Sequence, residues 1–175
     1  MDMVSPSPEF QSAAFVGGEK MVVAYSTVHM SHESKLASMR TNNIHFSHST
    51  GFHEVIPGHH LQLHMNVRHR TYRALFYPPF WIEGGAMYWE MLFWDKKFPT
   101  TPKDKIWMLY LRMHRCMRII FSLNFHLGSM TARECVDLLV GRLGHERTAA
   151  EAEVRRSIDG NYRPLYQAGY MLGAL

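Results

Sequence analysis

Residues 53–62 read His53-Glu54-Val55-Ile56-Pro57-Gly58-His59-His60-Leu61-Gln62. Three imidazoles and one carboxylate fall within eight residues, with a Pro-Gly step between the first histidine and the other two. Imidazole and carboxylate are zinc ligands, and a catalytic zinc site keeps one coordination position open for water. A His-Glu pair followed closely by another His is how many metallohydrolases draw two ligands and a general base from one element. The chemistry to expect is therefore metal-assisted hydrolysis, with His53 as a ligand and Glu54 as the base.

The spacing selects among the remaining histidines without settling between two of them. In the common His-Glu-x-x-His arrangement the two histidines lie four apart on one helix face. Here the fourth position is Pro57, which offers no ligand atom. On an unbroken helix His60 would share the face of His53 but sit about 10.5 Å along the axis. Pro clashes with the carbonyl four residues back and Gly admits unusual backbone angles, so a break at Pro57-Gly58 can swing His59 into the second ligand position. His59 is the expected ligand, with His60 as the alternative. Nine of the twelve histidines lie between His29 and His69, so crowding alone is an ordinary reading of the cluster.

A third ligand comes from residues 80–94, an apolar run interrupted only by Glu83 and Glu90. Such a run reads as a helix buried on nearly all sides. A buried carboxylate is costly unless it is paired or bound to a metal. The two glutamates are seven apart and share a face, so Glu83 is read as the third ligand and Glu90 as a group that orients a ligand from behind. The plain alternative is that both pair with arginines such as Arg68, Arg70 or Arg73.

These residues resemble the signatures of the family known as domain of unknown function 885, zinc-metallopeptidase-like proteins that are typically much longer than this chain. The first signature is residues 53–62. The second, Glu-Gly-Trp-Ala-Leu-Tyr-x-Glu in the family, is matched by Glu83-Gly84-Gly85-Ala86-Met87-Tyr88-Trp89-Glu90. Arg118 to His126, the segment Met130-Thr131-Ala132-Arg133-Glu134, and Glu153-Val154-Arg155-Arg156 fit a third stretch. Pro164, Tyr170 and Gly173 keep the spacing of the family's closing motif. The resemblance covers about residues 45–175. It implies a mostly helical, gluzincin-like fold with His53, His59 and Glu83 as metal ligands, Glu54 as base, and His126 and Tyr170 lining the site. Gly85 stands where the family has Trp, Ser122 where it has Asp, Leu165 where it has Gly and Tyr166 where it has Gln. None of these is expected to touch a proposed ligand or the base.

The elements that must carry these groups are mostly helices. The chain has 175 residues, 46% of them hydrophobic and 13% aromatic, enough for one domain with a full core. Residues 1–44 read as a partly irregular N-terminal segment with one strand or hairpin near 20–28, and 45–175 as the metal-binding helical core. Residues 36–50 read as a polar connector. A helix carrying the first motif is expected to run, broken near Pro57, to about Tyr72. Pro78-Pro79 marks the turn before the second-motif helix. Thr101-Pro102 starts a helix that runs to about Leu127, ahead of Gly128. Thr131 to Glu134 and Thr148 to Glu151 both read as capping boxes, and a last helix is expected after Pro164.

Composition narrows the function classes. A net charge of +4 with scattered arginines is a mild basic bias, unlike the clustered footprint of a nucleic-acid binder. The longest apolar stretch carries prolines and glutamates, which argues against a membrane span. Cys116 and Cys135 read as core thiols of a cytoplasmic protein, and no signal peptide is evident. The expected activity is zinc-dependent hydrolysis of a peptide or small amide, with Glu54 as general base. Tyr170, His126 and Arg118 are candidates, on the strength of the resemblance, to stabilise an oxyanion. Each has an ordinary structural reading: Tyr170 in the core, Arg118 in a salt bridge, His126 at a helix C-terminus. A metal-binding but inactive module working with a partner chain is the rival expectation. An iron or manganese centre of the Glu-x-x-His type is disfavoured because no such pair occurs in the chain. A helix as apolar as 80–94 also leads us to expect a homo-oligomer or a partner subunit covering it.

Overall fold

The structure is a computed structural model that describes residues 26–175 in full. Of the preceding residues it describes only the backbone of three short strands, β1 (Asp2–Val4), β2 (Ala14–Phe15) and β3 (Met21–Ala24). β3 pairs in parallel with β1, matching Met3 to Val23, and antiparallel with β2, matching Ala14 to Val22. Everything after them is helical: α1 (His32–Thr41), α2 (Ile44–Glu54), α3 (His59–His69), α4 (Pro79–Asp95), α5 (Pro102–His126), α6 (Ala132–Leu138), α7 (Arg147–Ile158) and α8 (Gly169–Ala174). Short 3-10 turns precede α4 and α8, and a π turn (Leu139–Leu143) prolongs α6.

Local chemistry explains most of the helix starts. The Thr101 side chain accepts from the Asp104 N–H with Pro102 at the first helical position, and α5 runs to His126 as expected. Thr131 and Glu134 form the full reciprocal capping box. The second expected box does not form. Glu146, not Thr148, is the cap of α7: its carboxylate accepts from the Ala149 N–H and from the Thr148 hydroxyl. A charged carboxylate at the N-terminus also meets the helix dipole favourably, which the hydroxyl does not.

Two further expectations are corrected. Residues 36–50 are not a connector but the end of α1 and most of α2. Ser31 caps α1, and Asn43 caps α2 by accepting from the N–H groups of His45 and Phe46. Phe46 then meets Trp107 of α5 edge-on at 6.0 Å, a tertiary contact that polar composition does not announce. The first-motif helix is two helices, not one bent helix ending near Tyr72. The chain leaves α2 after Glu54, passes a cis Ile56–Pro57 peptide and re-enters α3 at His59. Gly58 is required at this reversal, because any Cβ there would run into the carbonyl of His53.

The main apolar cluster joins α5 (Phe121), α6 (Cys135, Val136), the π turn (Leu139, Leu143) and α7 (Ala150, Val154). Cys135 is buried as expected, whereas Cys116 faces outward on α5. The other half of the molecule packs α4 against α2, α5 and α8. α4 and α8 touch backbone to backbone: a Cβ on Gly84 would lie 2.5 Å from the Cα of Gly173. α4 buries Ile82, Glu83, Ala86, Met87 and Glu90, but it is not covered all round. Phe80, Trp81 and Tyr88 remain about half exposed, continuing an apolar surface from Leu75, Phe76 and Tyr77. Among the described residues no helix is long and apolar enough to cross a membrane.

Candidate metal centre

Three elements deliver one ligand atom each to a single point. The last turn of α2 carries His53, the reversal at Gly58 sets His59 at the first turn of α3, and α4 brings up Glu83. The Oε2 atom of Glu83 lies 3.4 Å from Nε2 of His53 and 3.3 Å from Nε2 of His59. The three ligand atoms all fall within 4.8 Å of one another. Bonds of 2.0–2.1 Å at tetrahedral angles put neighbouring ligand atoms about 3.3–3.4 Å apart. Glu83 Oε2 is buried and accepts no hydrogen bond, although two imidazole nitrogens stand beside it. A buried carboxylate oxygen facing two imidazoles outside hydrogen-bond geometry fits a cation between them better than a direct contact.

The supporting groups are as specific. Nδ1 of His53 lies 2.7 Å from Oε1 of Glu90, which also accepts from Nη2 of Arg115 at 3.0 Å. A carboxylate on the far nitrogen fixes the imidazole tautomer and leaves Nε2 facing Glu83. The glutamates of α4 thus divide as their spacing suggests, and neither pairs with Arg68, Arg70 or Arg73; Arg115 is the cation that sequence reasoning missed. The phenol of Tyr166 donates to Oε1 of Glu83 at 2.5 Å, leaving Oε2 to the histidines. Tyr166 stands at one of the positions where the chain departs from the family pattern, and only the fold shows that it meets Glu83. His59 has no such support, since its buried Nδ1 is without a partner.

Electrostatics follow from this burial. Burial disfavours the charge on His53, but the neighbouring carboxylates of Glu83 and Glu90 and the charge of Glu54 outweigh it and push its pKa up to about 9. Burial pushes Glu83 up, and the imidazoles of His53 and His59 hold it well below the usual carboxylate range. Burial likewise opposes the charge on Glu90, and Arg115 and then His53 more than compensate. With its pKa near 9, His53 keeps its proton at neutral pH.

The remaining candidates divide. Tyr170 is buried and stacks its ring on His53, with centroids 5.8 Å apart and planes at 12°. Burial first and then Glu83 raise its pKa, so the phenol stays protonated. Arg118 lies 4.6 Å from the centre of that ring and is held by Glu153 through two bonds, Nε to Oε1 at 2.6 Å and Nη2 to Oε2 at 3.1 Å. It is a salt-bridge partner beneath Tyr170. His126 is not brought to the centre: it is exposed in the last turn of α5, edge-on to Phe125, about 12 Å along the axis from Arg118. His60 turns its ring to His64 one turn on, not to Glu83. Glu54 ends α2 beside His53, and its charge acts on that imidazole.

No curated protein matches the chain. Among solved structures, a candidate lipoprotein of unknown function from Shewanella oneidensis shares the fold, with a TM-score of 0.74 at 20% identity over 99% of this chain. The chain spans 32% of that protein's length. The family model described as bacterial protein of unknown function, DUF885, matches residues 5–175, which extends the likeness seen in the motifs through nearly the whole chain, and the chain belongs to that family.

Proposed function

We propose that the protein is a zinc-dependent hydrolase of peptide or other amide bonds. The observation that carries this reading is the convergence of His53, His59 and Glu83, with a buried carboxylate oxygen that accepts no hydrogen bond 3.3 and 3.4 Å from two imidazole nitrogens. His53, His59 and Glu83 would hold the zinc, which supplies Lewis acidity toward a carbonyl oxygen and a nearby water when bound. Glu90 holds the His53 ring in register, and Tyr166 holds Glu83. Glu54 accepts the proton of the attacking water at its carboxylate and returns it to the leaving nitrogen. Tyr170, protonated and fixed by its stacking on His53, is the proposed donor to the developing oxyanion, with Arg118 a positioning residue under its ring.

The test pairs composition with turnover. Protein purified without added metal is expected to hold zinc at this centre; His53→Ala and His59→Ala should lose it, and His60→Ala should keep it. Glu54→Gln should keep zinc and fold while losing hydrolysis, because an amide does not accept the proton. Full turnover by Glu54→Gln, or tight zinc at this centre in His53→Ala, would overturn the assignment. A second reading, an inactive metal-binding module acting with a partner chain, draws on the hollows of the surface. Two are lined by Asn66, Arg73 and Trp81 in one case and by Arg133, Arg147 and Glu151 in the other.

A further inference from the structure

A second group of ligand atoms lies at the opposite end of α2. His45 and His48 are three apart on that helix and so share a face. Both turn Nδ1 toward the same oxygen, Oδ1 of Asp104 in the first turn of α5, at 2.7 and 3.3 Å. The three ligand atoms lie within 4.8 Å of one another. The other oxygen of Asp104 accepts from the Thr101 hydroxyl at 2.6 Å, and the Asp104 N–H donates back to that hydroxyl. Thr101 therefore does for Asp104 what Tyr166 does for Glu83: it occupies one carboxylate oxygen and aims the other. Asp104 is buried, with its second oxygen taken by Thr101 and its first facing both imidazoles.

We infer that His45, His48 and Asp104 form a second, independent site for a divalent transition cation such as zinc, cobalt or nickel. Two imidazoles and one carboxylate suit borderline metals and not calcium or magnesium, which take oxygen ligands. The 3.3 Å separation equals a tetrahedral edge, and a bound cation would replace the 2.7 Å hydrogen bond between His45 Nδ1 and Asp104 Oδ1. The side chain of His48 is 58% exposed, so the site opens to solvent and completes its coordination with water, whereas the ligands of the first centre are buried. His48 precedes His53 by about 7.5 Å of helix rise, and His45 by about 12 Å. Two-metal clusters need about 3.5–4 Å, so this is a separate site. Its effect is to fasten the start of α2 to the start of α5, clamping the helix whose other end supplies His53 and Glu54.

The experiment is a titration of chelator-stripped full-length protein with cobalt and then zinc, read by stoichiometry, visible absorption and melting temperature. The parent should bind one ion at each of the two groups. His48→Gln, a change at an exposed side chain, should lose the weaker equivalent and the part of the metal-induced rise in melting temperature that goes with it. His45→Gln should do the same. His53→Ala should keep that weaker equivalent. A single equivalent in the parent that His48→Gln and His45→Gln leave in place, or a weaker equivalent unaffected by both, overturns the inference. If both variants lose an equivalent while His53→Ala loses none, the second site stands and the reading of the first centre fails.

Discussion

Replacing Glu90 by Gln separates the two things this carboxylate does. It orients His53 through Nδ1, and it helps to keep a proton on that imidazole in the metal-free protein. With the His53 pKa at about 9, proton competition at pH 7 costs zinc binding about 2.7 kcal/mol, roughly a hundredfold. Losing a carboxylate that supports a metal-bound imidazole typically costs about 10–100-fold in affinity. The two effects oppose each other at neutral pH and separate above pH 9, where the proton is gone. We therefore expect Glu90→Gln to bind zinc about 10–100-fold more weakly near pH 9.5. The gap should narrow as the pH falls toward 6.5, because the variant imidazole titrates nearer its ordinary value. Competition against a chromophoric chelator across that range measures both. Gln keeps an oxygen for His53 and Arg115, so the loss of stability should stay below the ~3–5 kcal/mol of a broken buried ion pair. Equal affinity at pH 9.5, or a gap that widens on acidification, would refute the reasoning.

Other perturbations probe the surroundings. Gly84→Ala places a methyl against the Gly173 backbone, so it should cost about 1–3 kcal/mol in urea unfolding and displace α8 with Tyr170; an unchanged midpoint would mean that α8 does not rest on α4 as described. Burial first, then Arg118, hold His114 well below its usual 6.5, so it folds uncharged. Its contribution is whole above 6.5 and is lost as the pH falls below that value toward the depressed one, at about 1.4 kcal/mol per pH unit; His114→Gln should flatten that acid limb of the stability curve. His53 works in the opposite sense in the metal-free protein. Its raised pKa stabilises below 6.5 and the benefit fades as the pH rises through about 9, a decline that saturating zinc should abolish in thermal melts. The exposed run Leu75, Phe76, Tyr77, Phe80 and Trp81 should drive self-association or capture of a partner; a monodisperse monomer by light scattering at micromolar concentration, binding no hydrophobic dye, would count against it.

The candidate ligand residues and the helix starts were legible in the sequence because both patterns are local. A His-Glu pair, a Pro-Gly break and two glutamates in an apolar run identify themselves by type and spacing, as do Thr101-Pro102 and the Thr131–Glu134 box. Local patterns misled where two devices competed over a few residues, as at Glu146 and Thr148, and where polar composition hid helices, as in the locally capped α1 and in α2, which packs on α4 and α5. Tertiary structure alone decided which histidine meets Glu83, because that depends on how the reversal at Gly58 aims α3. It alone brought Arg115 to Glu90 and Tyr166 to Glu83, across separations of 25 and 83 residues, and it alone left His126 outside. Periodicity within one helix carries no information about which face of a distant helix it will meet. The sequence by itself determined which candidate ligands, candidate base and caps were available; the packing of α4 against α2, α3 and α8 decided which of the candidates converge.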